Sequence, residues 1–167
     1  MTLIRETGET SDHYRRVDST EALGTDGALI VPLALAEAAK NQLAGRRFGL
    51  SVPNNAAVED IAPLLADVDL VVVEFPAFSD GRGFSLAKRL RRAGFEGTLR
   101  ASGPLIADQF ADALACGFDE VELPETMANR QPVQQWMEAK DTMSRHYQNG
   151  YGDDRSILRK RLAAREA

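Results

Sequence analysis

Residues 69–103 read DLVVVEFPAFSDGRGFSLAKRLRRAGFEGTLRASG. Val71-Val72-Val73 is an unbroken β-branched run, the pattern of a strand covered on both faces. Pro76 and the turn-rich segment Ser79-Asp80-Gly81-Arg82-Gly83 end it. A helix is predicted next, with Phe84, Ala87 and Leu90 on one side and Lys88, Arg89, Arg91 and Arg92 on the other. Gly94 stops that helix, and Leu99-Arg100-Ala101-Ser102 is a second strand. A helix joining two neighbouring strands is a crossover, so the strands must run parallel.

The same alternation extends outward on both sides. Strands are expected at 28–31 (ended by Pro32), 48–52 and 118–123 (ended by Pro124). Helices are expected at 33–43, 58–66, from Leu105 to Gly117, and over 131–146 with Trp136, Met137 and Met143. Pro63 is awkward inside the second of these and should shorten or kink it. The reading is therefore α/β: repeated βα units forming a parallel sheet of four to five strands, either an open sheet or half of a TIM-barrel-like closure. Residues 1–26 are polar without a clear period and read as a flexible leader, and 27–150 as the single α/β domain. Residues 151–167 read as a basic amphipathic helix with Ile157, Leu158 and Leu162 inward. The leader and this helix are expected to be dispensable for folding.

Composition narrows the class. The chain has 167 residues, 44% of them hydrophobic, enough for one domain with a real core. A net charge of −5 provides no domain-wide basic surface for nucleic acid. The single cysteine, Cys116, excludes an intramolecular disulfide and a CxxC pair and reads as a packed, inert thiol. No apolar run approaches a membrane span, and the polar N-terminus is not a signal peptide. A cytoplasmic setting is the expectation. With no dinucleotide fingerprint and no cluster of cysteines or histidines, no flavin, haem, iron–sulfur cluster or metal is expected either.

Parallel sheets place ligands at the carboxyl ends of their strands. Here those ends carry Asn54 and Asn55, Glu74, the loop Ser79–Gly83, Arg100 and Ser102, then Glu122 and Glu125. Gly81 and Gly83 would permit positive φ and close backbone approach. The helix behind them presents free N–H groups to an anion, and Arg82 adds a bidentate grip. Ser79, Asp80, Gly81, Arg82, Gly83 and Arg100 are thus the candidate anion site. Glu74, Asp80 and Arg100 are candidate catalytic groups. Each has a plainer reading too: the loop as a tight turn capped by Ser79 or Asp80 with Arg82 exposed, and Glu74 as an ion-pair partner of Arg100. Glu74, Asp80 and Asp108 could form a carboxylate cluster.

The segments Phe75-Pro76-Ala77-Phe78-Ser79-Asp80-Gly81-Arg82-Gly83-Phe84-Ser85-Leu86-Ala87 and Gly97-Thr98-Leu99-Arg100-Ala101-Ser102-Gly103, followed by Asp108-Gln109 and Cys116-Gly117-Phe118-Asp119, resemble a bacterial domain-of-unknown-function family. That family is labelled an oxidoreductase of sulfite reduction. Its genes lie beside those for assimilatory sulfite reductase and phosphoadenylylsulfate reductase. This chain departs from the pattern at Lys88, usually Arg, and at Pro104-Leu105-Ile106, usually Asp-Val-Leu. The resemblance implies an accessory protein of assimilatory sulfite reduction that binds one of those reductases or a small oxyanion at the strand ends. Two alternatives stand beside it. One is an enzyme acting on a small anion through Glu74, Asp80, Arg82 and Arg100, and the other is a non-catalytic interaction module.

Overall fold

The computed structural model describes residues 1–43 and 45–142. The end of the helix expected over 131–146 and the basic helix expected over 151–167 lie outside the described residues. The sheet has eight strands: β1 Thr2–Arg5, β2 Gly8–Thr10, β3 Tyr14–Arg16, β4 Ala28–Pro32, β5 Phe48–Pro53, β6 Val68–Glu74, β7 Thr98–Ser102 and β8 Glu120–Leu123. Among the described residues six α-helices accompany them: α1 Ala36–Gln42, α2 Val58–Ile61, α3 Arg82–Arg92, α4 Phe110–Ala115, α5 Glu125–Ala128 and α6 Val133–Thr142. Pro63 does interrupt the helix expected over 58–66: α2 ends at Ile61 and a 3-10 turn, Ala62–Leu64, takes over.

The spatial order is β2-β1-β8-β7-β6-β5-β4-β3. Strands β3 through β8 pair in parallel, and the hairpin β1–β2 lies antiparallel against β8. The expectation of four to five strands is therefore too low. The three additional strands all come from residues 1–26, which are woven into the sheet at both of its edges. Their short, charged segments have too few residues for a period to show, and pairing with β8 and β4 supplies what local pattern lacks.

Chain reach dictates the curvature. In a flat sheet the edge strands β2 and β3 would stand seven spacings, roughly 34 Å, apart. Only residues 11–13 join them, and four residue steps span at most about 14 Å. The sheet therefore curls into a half-barrel, with that link crossing its open side.

The strands alternate between two environments. Leu29, Val31, Leu50, Val52, Val71, Val73, Leu99, Ala101, Val121 and Leu123 pack with Leu86, Leu90, Phe110 and Ala113 of the helices in one core. The opposite, concave face has only a small apolar cluster, Ile30, Leu70 and Val72, with Tyr14 against it. The Val71–Val73 run is thus covered on both faces, as its composition requires.

Phe75 closes the outer core beneath the candidate loop, with its ring 5.2 Å from Phe84 and 6.0 Å from Phe118. Gly83 serves that packing. A Cβ there would overlap the Phe75 ring, so Gly83 is required for close approach and not for positive φ. Gly81 likewise has an ordinary φ of −80°. The glycine in this region that does need a left-handed backbone is Gly103, at φ +140°, where a Cβ would strike the Phe75 carbonyl.

Candidate functional site

Register places the concave-face side chains in rows. One row runs Pro32, Ser51, Val72, Arg100, Glu120, Arg5. The next, nearer the carboxyl ends, runs Pro53, Glu74, Ser102, Glu122, Leu3. Charged groups buried side by side need partners, and the first sixteen residues provide most of them.

Arg100, 1% exposed, donates through Nε to Glu120 Oε1 at 2.8 Å and through both terminal nitrogens to Asp12, at 2.7 and 3.1 Å. The other oxygen of Glu120 accepts from Arg5 Nε at 2.8 Å. The Tyr14 ring lies 5.7 Å from the Arg100 guanidinium. Burial, together with the nearby Asp69 carboxylate, pushes the Tyr14 hydroxyl up to about 12. Partial burial works to raise the Asp12 carboxyl, but hydrogen bonds from Arg100 and from the Tyr14 backbone outweigh it and hold the group below its ordinary value.

One row higher, Arg16 on β3 is the hub. Its Nη2 donates to Glu122 Oε2 at 2.5 Å and to Ser102 Oγ at 3.1 Å. Its Nη1 lies 3.4 Å from Ser51 Oγ and 3.7 Å from Glu74 Oε1. Ser51 in turn donates to Glu74 Oε1 at 2.6 Å. The expected Glu74–Arg100 pair is therefore corrected. Arg100 stands opposite Val72, one row below Glu74, and Arg16 takes the place expected of it.

Above this row opens a cleft of about 490 Å³, lined among others by Arg16, Asn54, Glu74, Arg82 and Ser102. Asn54 is 3% exposed, and its Nδ2 makes no hydrogen bond of ordinary geometry.

The loop before α3 is more self-contained than its sequence suggests. Arg82 grips Asp80 with Nε to Oδ1 at 2.9 Å and Nη2 to Oδ2 at 2.6 Å, leaving Nη1 without a partner among the described residues. The Arg82 backbone N–H also reaches Asp80 Oδ1 at 3.3 Å. The side-chain bonds from Arg82, and then a longer interaction with the side-chain amide of Asn54, hold the Asp80 carboxyl far below the usual carboxylate range. Gln109 anchors the loop, donating to the Phe78 carbonyl at 2.7 Å while accepting from Ile106 N–H at 3.2 Å.

The sequence-selected residues separate accordingly. Glu74, Arg82, Asn54, Asn55 and Ser102 meet at the cleft, with Asp80 attached through Arg82. Ser79 and Gly81 are exposed in the loop, Gly83 is packed under it, and Arg100 is sealed one row beneath. Asp108 is exposed, and among the described residues no three His, Cys, Asp or Glu side chains converge to hold a metal.

The Cys116-Gly117-Phe118-Asp119 motif is occupied structurally. Asp119 accepts from Arg91 at 2.6 Å and Leu99 N–H at 2.7 Å, and Arg91 also donates to the Phe95, Gly97 and Gly117 carbonyls. Burial pushes the thiol of the half-buried Cys116 up.

Sequence reasoning missed Asp12, Arg16, Arg5 and Ser51. One signal was present: Glu120-Val121-Glu122-Leu123 alternates acid with aliphatic on a core strand, so one face carries two buried carboxylates. Arg100 alone cannot satisfy both, and Arg5 and Arg16 are the unassigned cations.

These features define an α/β half-barrel, singly wound in its parallel part, with a charged interior and a ligand-sized cleft at the carboxyl end of its strands. The chain belongs to the bacterial protein family of unknown function DUF934, whose model matches residues 49–158. No curated protein matches it. The matched span holds β5 to β8 and the candidate loop, whereas Asp12 and Arg16 precede it. Among the described residues no helix is long and apolar enough to cross a membrane.

Proposed function

We propose that this protein is a cytoplasmic accessory component of assimilatory sulfite reduction that binds a small oxyanion in the cleft and serves sulfite reductase or phosphoadenylylsulfate reductase. The sulfur assignment rests on the resemblance of the FPAFSDGRGFS and LRASG segments. The oxyanion assignment is carried by one observation: two guanidinium groups, Arg16 and Arg82, line the same cleft at the carboxyl ends of the strands. Anions are held where donors converge under partial exclusion of water, and charge-assisted bonds to them are the strong ones. Arg82 would offer its free Nη1, Arg16 its exposed edge, and Ser102 its hydroxyl. The backbone at the start of α3, a helix of eleven residues, adds a favourable dipole.

The test is genetic and biophysical together. A deletion strain should fail on sulfate as sole sulfur source and recover on sulfide; failure on sulfite as well assigns it to sulfite reductase, and growth on sulfite to phosphoadenylylsulfate reductase. Arg82→Ala and Asp80→Ala should not restore growth, although both proteins melt within a few degrees of the parent because Arg82 is exposed and Asp80 only half-buried in a surface loop. Normal growth of the deletion strain on sulfate refutes the pathway assignment. Full rescue by both variants refutes the cleft.

A further inference from the structure

The cleft has a mixed character that an all-purpose anion site would lack. Beside its donors Arg16, Arg82 and Ser102 stands one carboxylate, Glu74, whose side chain is 55% exposed. Only one of its oxygens is engaged: Oε1 accepts from Ser51 at 2.6 Å and lies 3.7 Å from Arg16. Its second oxygen has no hydrogen bond among the described residues, and Glu74 lines the same cleft as Arg16 and Arg82. A carboxylate is acceptor-only. A fully deprotonated anion placed against it meets a like charge and an unmatched lone pair. An anion that keeps one proton instead donates an O–H···O⁻ bond, the short and strong kind.

We propose that Glu74 makes this a site for protonated oxyanions. It accepts hydrogen phosphate and hydrogen sulfite and rejects sulfate, which holds no proton near neutral pH. This inference rests on the oxyanion reading above and refines it: the three donors supply affinity, and Glu74 reads the ligand's proton. Specificity of this type comes from an opposing group as much as from attractive ones. The same carboxylate that costs affinity for every anion costs most for the one that cannot donate.

The pH dependence follows from the ligands. Sulfite loses its proton as pH rises through neutrality, so its binding should weaken over that range. Inorganic phosphate keeps a proton well beyond it, so its binding should hold. Sulfate should bind weakly throughout.

Calorimetric titration of the full chain with sodium sulfite, inorganic phosphate and sodium sulfate, on either side of neutral pH, tests this. The parent should prefer phosphate to sulfate by about 10-fold or more, the ratio corresponding to one charged hydrogen bond made or opposed. Glu74→Gln keeps the shape but can turn an N–H toward a bare anion, so sulfate should then bind at least as well as phosphate. Glu74→Ala, which removes the acceptor without adding a donor, should bring the ratio near one. Because Glu74 is half exposed, both variants should melt close to the parent, which verifies that the fold is intact. Equal binding of all three anions by the parent, or unchanged preference in Glu74→Gln, overturns the role of Glu74 and leaves the oxyanion reading standing. No binding of any of the three overturns both.

Discussion

Asp12→Ala removes the link that ties residues 11–13 across the open side of the half-barrel. In the parent, the Asp12 carboxylate receives two hydrogen bonds from Arg100, at 2.7 and 3.1 Å. Once it is gone, Arg100 keeps Glu120, which Arg5 already shares, and a longer ion pair at 4.0 Å to Glu122, which Arg16 already holds. Arg5, Arg16 and Arg100 then compete for the Glu120 and Glu122 carboxylates in the sheet interior. Removing one partner of a fully buried ion pair costs about 3–5 kcal/mol. Asp12 is 30% exposed, so water can follow into the vacated space, which discounts the loss to about 2–3 kcal/mol. At roughly 2–4 °C per kcal/mol for a chain of this size, Tm should fall by about 4–12 °C.

The effect should depend on pH in a defined direction. Because the folded-state carboxyl lies below its ordinary value, its stabilisation is complete above that ordinary value and is lost as pH falls through the folded one. Parent and variant should therefore differ fully at neutral pH and converge on acidification. Thermal melts followed by circular dichroism at several pH values measure both. The double variant Asp12→Ala with Arg100→Met should recover part of the loss, since an apolar side chain no longer demands a counter-charge. If Asp12→Ala melts within a degree or two of the parent at neutral pH, the link is not a structural latch and the account of the interior is wrong.

Deleting residues 1–16 strips strands from both sheet edges and leaves Arg100 and Glu120 short of partners. The truncated chain should be insoluble or molten by near-ultraviolet circular dichroism, and a sharp cooperative melt near that of the parent would contradict the eight-stranded sheet. Gly103→Ala, at φ +140° and against the Phe75 carbonyl, should prevent soluble expression. Gly81→Ala meets nothing closer than 3.8 Å and should be tolerated; similar yields from both would refute the packing described. Tyr14 should ionise near pH 12 and not near 10, because burial and Asp69 disfavour the phenolate. Spectrophotometric titration of Tyr14→Phe should lack that late component, and any stability tied to the raised value should be present below the ordinary tyrosine range and lost as pH climbs through the upper one.

The parallel unit around α3 was legible because its causes are local. A β-branched run, a proline-ended strand, an amphipathic stripe and a terminal glycine each act within a few residues, so residues 69–103 declare β6, α3 and β7 by themselves. The location of the cleft at the strand ends follows from the same topology. What the chain order hides is everything decided by distant pairing. Gly83 resembles a glycine of flexible backbone, but only the Phe75 ring packed on it explains why no larger residue fits. Glu74 and Arg100 are neighbours in pattern, yet a parallel register sets them one row apart and assigns them to different partners. Residues 2–16 are too short and too charged to signal strands. They become strands because β8 and β4 offer open backbone edges, and because the buried charges on β7 and β8 require Arg5, Asp12 and Arg16. Periodicity records which face a residue takes. Which charge it meets there depends on curvature and register, and those exist only once the sheet has closed around them.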